Sequence, residues 1–106
     1  MPLARCTRLE RLILSGTGVT DISVLEHCPG LEFLDLTGCI GVTDIRPLAS
    51  CTRLQTLYLD GCIAVTNISA LANCPGLRVL YLDGTGVSAT NIEELQRARP
   101  GLRIHR

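Results

Sequence analysis

The side chains with the widest chemical range in this 106-residue chain are six cysteines, two histidines, a handful of aromatics and an all-arginine set of cations. The cysteines fall into two series, Cys6, Cys28, Cys51 and Cys74, and Cys39 and Cys62. Stacking either series would bring thiols within reach of disulfide or metal chemistry. Zinc sites usually carry close pairs such as Cys-x2-Cys, and none occurs here. Cysteines spaced over twenty residues apart fit a buried small hydrophobe better, with Ala98 standing at the same place in the last segment. Free, buried thiols and no metal are therefore expected. His27 falls where other segments carry Arg5, Ser50 and Asn73, a solvated position. No nucleophile is paired with a base, and the glycines do not follow a phosphate-loop spacing. The expectation is a chain with no catalytic residue, no cofactor and no enzymatic activity.

A second set of residues points to recognition. Phe33, Tyr58 and Tyr81 are the only aromatics, and Asp35, Asp60 and Asp83 lie within two residues of them. Tyrosine offers a large contact area with few torsions and a hydroxyl that bonds. Aspartates beside tyrosine faces favour a basic or Arg-bearing ligand, since the ring can also stack a guanidinium. The plainer alternative is a solvated face in which tyrosine is simply a good strand former. Either outcome requires elements that bring all six residues onto one surface.

Those elements are written in a repeat. Leu9–Thr17, Leu31–Cys39, Leu54–Cys62 and Leu77–Thr85 each follow L-x-x-L-x-L-x-G-(C/T). One leucine column, Leu3, Leu25, Leu48, Leu71 and Leu95, steps by 22, 23, 23 and 24 residues. A period of this length means a solenoid, each coil stacking on the next. Strand cores are expected at Leu12–Leu14, Leu34–Leu36, Leu57–Leu59 and Leu80–Leu82, leucines inward and the intervening residue outward. The outward columns are then Ile13, Asp35, Tyr58, Tyr81; Arg11, Phe33, Thr56, Val79; and Ser15, Thr37, Asp60, Asp83. All six recognition residues share that face.

Gly16, Gly38, Gly61 and Gly84 follow each strand, where a sharp turn favours a positive φ. Thr17, Cys39, Cys62 and Thr85 come next and point inward as a ladder, the cysteine coils carrying one more turn residue than the threonine coils. On the return path, Asp21, Asp44 and Asn67 stand as N-caps of short helical or 3₁₀ turns. In the fourth coil, Asn91 reads as an N-cap with Glu94 as its capping-box acid, predicting an α-helix over 92–97.

Ten acidic side chains balance ten basic ones, and every basic residue is Arg. Neutral balance argues against nucleic acid as the main partner, while Arg is common at protein interfaces. No stretch approaches the roughly twenty apolar residues of a membrane span, and the first residues lack a signal-peptide core. The expected setting is the reducing cytoplasm, with no membrane association. Arg97, Arg99, Arg103 and Arg106 crowd the last segment, as a polar cap or as a contact for an acidic partner or RNA. There the strand pattern restarts at Leu102, with His105 standing where Leu80 stood. The N-terminal coil begins without an equivalent cover. Two explanations stay open: the chain continues a longer array, or its edge is covered by a partner or a second copy.

These phased repeats resemble leucine-rich repeat proteins over 3–102. The tracts Thr20–Leu25, Thr43–Leu48 and Thr66–Leu71 look like the short internalin-type repeat, which is also found in a regulatory subunit of protein phosphatase 1. Cys28-Pro-Gly-Leu31 and Leu36-Thr-Gly-Cys39 look like the cysteine-containing repeats of F-box substrate receptors. The hybrid also resembles repeat proteins abundant in trypanosomatid protists. The resemblance implies an α/β solenoid: a short, curved, right-handed leucine-rich repeat horseshoe with a parallel β-sheet on the concave face and short 3₁₀ or helical turns on the convex face. Residues 1–106 form a single domain on this reading, with coils at 3–24, 25–47, 48–70 and 71–94 and a cap at 95–106. It implies a non-enzymatic scaffold binding a protein partner through Phe33, Asp35, Tyr58, Asp60, Tyr81 and Asp83. The alternatives are a structural subunit, self-associating or assembling through the N-terminal edge, and the substrate-recognition part of a ubiquitin-ligase-type receptor.

Overall fold

The structure is a computed structural model and describes residues 8–106. Five three-residue strands lie side by side in chain order as one parallel sheet: β1 (Arg11–Ile13), β2 (Phe33–Asp35), β3 (Thr56–Tyr58), β4 (Val79–Tyr81) and β5 (Arg103–His105). Three 3₁₀ turns, Ser23–His27, Arg46–Ser50 and Ser69–Asn73, return the chain between the first four strands, and an α-helix, α1 (Ala89–Ala98), returns it to β5. The sheet lines one face of the coils and the helical turns line the other, as the repeat predicts.

The strands are assigned one residue earlier than expected. Leu36 and Leu59 leave the paired segment, although their N–H groups still donate to Tyr58 and Tyr81 at 2.9 Å. Such one-residue differences are usual at element ends. Inside the sheet, Leu34, Leu36, Leu57 and Leu59 are fully buried, and buried Cys39, Val42, Ile45 and Leu48 recur one coil on as Cys62, Val65, Ile68 and Leu71. The core is therefore wholly aliphatic and sulfur-bearing, with no buried polar or charged residue among the described residues. Gly38 and Gly61 adopt φ of 76°, closing the strand into the turn where an L side chain would be strained.

The cysteine series are buried, as expected. Cys39, Cys51, Cys62 and Cys74 are free thiols, and they and Cys28 are all at 0% exposure, while Cys6 lies outside the described residues. Their sulfurs tie coils together: Cys62 Sγ donates to the Leu36 carbonyl at 2.9 Å, and Cys74 Sγ to Leu48 at 3.2 Å, each in the preceding coil. Thr17 and Thr85 instead close their own turns onto Leu14 and Leu82. The ladder thus couples neighbours only where it holds cysteine.

Three expectations need correction at the coil ends. The side chains of Asp21, Asp44 and Asn67 do not cap at the N-cap position, which Ile22, Ile45 and Ile68 occupy. They sit one residue earlier and accept the N–H two residues on, from Ser23, Arg46 and Ser69, each at 2.9 Å. This is an Asx turn, the local geometry Asp and Asn favour. Helix α1 is longer than 92–97, because Ser88 is its N-cap: its hydroxyl accepts from the Asn91 N–H at 3.1 Å. Asn91, expected as the cap, instead lies inside the helix and reaches the Thr66 carbonyl. Finally, Ala98 does not continue the cysteine column. Cys28, Cys51 and Cys74 each end a 3₁₀ turn and accept the N–H of the leucine three residues on; in the last coil Arg99 ends α1 and accepts the Leu102 N–H in the same way.

Candidate binding surface

The sheet's register builds the outward columns. The first column runs Arg11, Phe33, Thr56, Val79, Arg103, and the second Ile13, Asp35, Tyr58, Tyr81, His105. Strand alternation forces this placement: the leucine between the two columns turns inward, so its neighbours must face outward. Beyond the strand ends, the Gly38 and Gly61 N–H groups donate to Asp60 and Asp83, which aligns Ser15, Thr37, Asp60 and Asp83 as a third column. The concave face therefore brings together all six residues predicted from sequence.

One ring-stacked row crosses the whole sheet. The Arg11 guanidinium lies 4.2 Å over the Phe33 ring. Phe33 and Tyr58 are tilted by 50° with centroids 5.6 Å apart. Tyr58 and Tyr81 stack at 4.2 Å and 2°, and Tyr81 and His105 at 4.6 Å and 10°. The three aromatics are half-buried and His105 is exposed. A side-chain hydrogen bond with Tyr81, and secondarily desolvation, hold the Tyr58 phenol above its ordinary value of 10.0. The row is therefore a rigid strip of ring surface whose long side faces solvent.

His105 was not among the expected site residues, and its placement corrects the alignment with Leu80. Ile104 pairs with Leu80 and His105 with Tyr81. The last coil spends one residue fewer between Leu102 and its strand than Leu77 does. Alternation could have revealed this: in Leu102-Arg-Ile-His, Ile104 is the apolar residue, so His105 must face outward.

The aspartates divide in role. Asp35 accepts the Thr37 N–H at 2.9 Å, and Asp60 accepts the Asp83 N–H at 3.0 Å. Both are half-buried, Asp35 shaping its own turn and Asp60 tying its coil to the next, while Asp83 is exposed. Together Asp60 and Asp83 form an acidic rim along the strand-end side of the row. No group of three or more His, Cys, Asp or Glu suited to a metal ion occurs among the described residues. No helix among them is long and apolar enough to cross a membrane. His27 is exposed on the convex side, as expected.

Residues 7–50 match the family described as Leucine Rich repeats (2 copies). No curated protein matches the chain by sequence. Among solved structures, the chain is similar to a leucine-rich repeat protein of Leptospira interrogans, with TM-score 0.77 and 21% identity over 92% of this chain and 25% of that one. It is also similar to internalin C2 of Listeria monocytogenes, with TM-score 0.65 and 27% identity over 97% of this chain and 53% of that one. The chain thus spans about half or less of the length of each of these proteins. Leucine-rich repeats generally serve as protein–protein interaction modules. From the phased repeats, the parallel sheet with its 3₁₀ returns, and these likenesses together, the chain is a leucine-rich repeat protein.

Proposed function

We propose that this protein is a non-enzymatic interaction module that binds a protein partner on its concave face. The observation that carries the reading is the continuous row from Arg11 through Phe33, Tyr58 and Tyr81 to His105. The core contains no aromatic residue, so these rings serve no packing need of the interior. Half-exposed tyrosines on a rigid sheet lose little conformational entropy on binding. The rim of Asp60 and Asp83 beside them favours a partner that presents Arg or Lys along that side. The test is capture of partners by the tagged chain, compared with a Tyr58→Ala/Tyr81→Ala variant of unchanged circular dichroism. The reading expects the variant to lose those partners; equal capture would refute it.

A second reading rests on a different observation. Leu9, Leu12, Leu14 and Val19 are only partly buried, whereas their counterparts Leu31, Leu34, Leu36 and Val42 are fully buried. Another coil, from an assembly neighbour or a second copy, stacked there would complete their burial. Sedimentation velocity across a hundredfold concentration range tests self-association, with a monomer throughout counting against a second copy.

A further inference from the structure

Opposite the acidic rim, at the strand-start side of β4 and β5, lies a depression of about 590 Å³ lined by Gln55, Thr56, Arg78, Val79, Arg99 and Arg103, among others. No Asp or Glu lines it. Three guanidinium-bearing side chains from three places in the sequence meet there because of the fold. Arg78 donates its N–H to the Gln55 carbonyl, and Arg103 donates its own to the Arg78 carbonyl, so Arg78, just before β4, neighbours Arg103 at the start of β5. Arg99 enters from the end of α1, in the backbone position that cysteine holds in the earlier coils.

Arg99 also explains why the site is formed in advance. Its guanidinium donates to the carbonyls of Cys74, Pro75 and Leu77 in the preceding coil. Those acceptors fix its position without neutralising its charge. Among the described residues the one ion pair is Asp44–Arg46, far along the chain from this site. Arg78, Arg99 and Arg103 therefore concentrate positive potential in a concave space, which focuses the field on an incoming anion. Guanidinium forks match carboxylate geometry in particular.

We propose that this depression is a carboxylate-binding subsite that receives an acidic segment of a protein partner. The inference rests on the concave-face reading and sharpens it: the partner crosses the aromatic row with its acidic side toward Arg78 and Arg103 and its basic side toward Asp60 and Asp83. An acidic peptide is favoured over nucleic acid, because the chain is neutral overall and the acidic rim repels an extended polyanion.

The test titrates the ¹⁵N-labelled full chain with an acetylated, amidated tetraglutamate peptide, with its tetraglutamine counterpart, and with oligouridine, following arginine Nε–Hε signals. Tetraglutamate is expected to shift the Arg78 and Arg103 signals saturably, and tetraglutamine to leave them in place. Losing two exposed charge pairs in Arg78→Ala/Arg103→Ala is expected to weaken tetraglutamate binding about two- to thirtyfold. Arg78→Lys/Arg103→Lys keeps the charge and is expected to recover part of the loss, which separates recognition from misfolding. Equal binding of both peptides, unchanged affinity in the alanine variant, or tighter binding of oligouridine would each overturn the proposal. Tyr58→Ala/Tyr81→Ala is expected to keep tetraglutamate affinity. If that variant also keeps its protein partners, the concave-face reading falls while the subsite stands.

Discussion

The buried cysteine series makes a quantitative prediction about reactivity. Burial pushes the Cys51 thiol up from 9.0 to about 12, with the neighbouring Cys74 and Cys28 adding to the rise, and burial also pushes Cys74 up to about 11. The thiolate is the reactive species, so at pH 8 the thiolate fraction of folded Cys51 is about a thousandfold below that of an ordinary thiol. Its side chain is also 0% exposed, so reagent meets it only after the coils open. Reaction of the native protein with a disulfide reagent, resolved by peptide mass mapping, is expected to label Cys51 at least a thousandfold slower than in 6 M guanidinium chloride. Cys28, beside the partly buried first coil, is expected to react before Cys51. The same shift has a sign in the stability. A thiol pKa raised by folding favours the folded state fully below pH 9, and that contribution is lost as pH rises toward about 12. Native labelling of Cys51 within tenfold of its denatured rate, with circular dichroism intact, would refute the stacked-coil burial of this column.

Other outcomes follow from single positions. Leu57→Ala empties a 0%-exposed site at the centre of the sheet and is expected to cost about 3–5 kcal/mol by chemical denaturation. Gly61→Ala forces a side chain onto φ +76°, with its Cβ 3.4 Å from the Gly38 nitrogen; a loss of about 1–2 kcal/mol is expected, and an unchanged midpoint would contradict the turn geometry. Ser88→Ala removes the cap of α1 at a cost of about 1 kcal/mol, whereas Glu94→Ala, at an exposed position, is expected to stay within about 0.5 kcal/mol. The Asp44 carboxylate, lowered to about 2 by hydrogen bonds from Arg46, is expected to titrate there by carbon-detected NMR. Because folding lowers that value from 3.8, its contribution is present above pH 3.8 and lost as pH falls through about 2.

The repeat made the interior legible. Inward leucines, buried cysteines and positive-φ glycines each answer to one periodic demand, so a single column of identical residues identifies them. The ends of the array were harder because they break the period. Asn91 with Glu94 has the spacing of a capping box, yet a helix longer than the 3₁₀ returns needs its cap earlier in the chain, at Ser88. His105 was misplaced because Leu102 keeps the leucine step while the strand after it starts one residue sooner. Arg99 was hidden for a related reason: it follows Ala98, which has the size of a buried cysteine. What replaces cysteine at the end of the stack is a side chain that bonds the preceding coil's carbonyls and carries charge into solvent. The turn bond of Asp35 and the coil-to-coil bond of Asp60 were invisible because an acid beside an aromatic looks the same whether it accepts a backbone N–H or awaits a ligand.

Whether the concave row can be tested by mutation depends on how much it holds the fold together. The Tyr58–Tyr81 stack is a cross-strand pair of the kind worth about 0.5–1.5 kcal/mol beyond its area, and its contacts with Phe33 and His105 add smaller amounts. Small domains are stable by about 5–15 kcal/mol. Removing both rings therefore leaves most of the stability in place, since every fully buried side chain is aliphatic or cysteine. The separation is a property of the fold: the leucines that form the coil and the rings that face outward alternate along the same three-residue strands and never exchange places. Loss of binding in Tyr58→Ala/Tyr81→Ala, with the denaturation midpoint lowered only slightly, then reports on recognition and not on unfolding. If the midpoint instead fell as far as in Leu57→Ala, the row would be a structural strut and its exposed stacking would need another explanation.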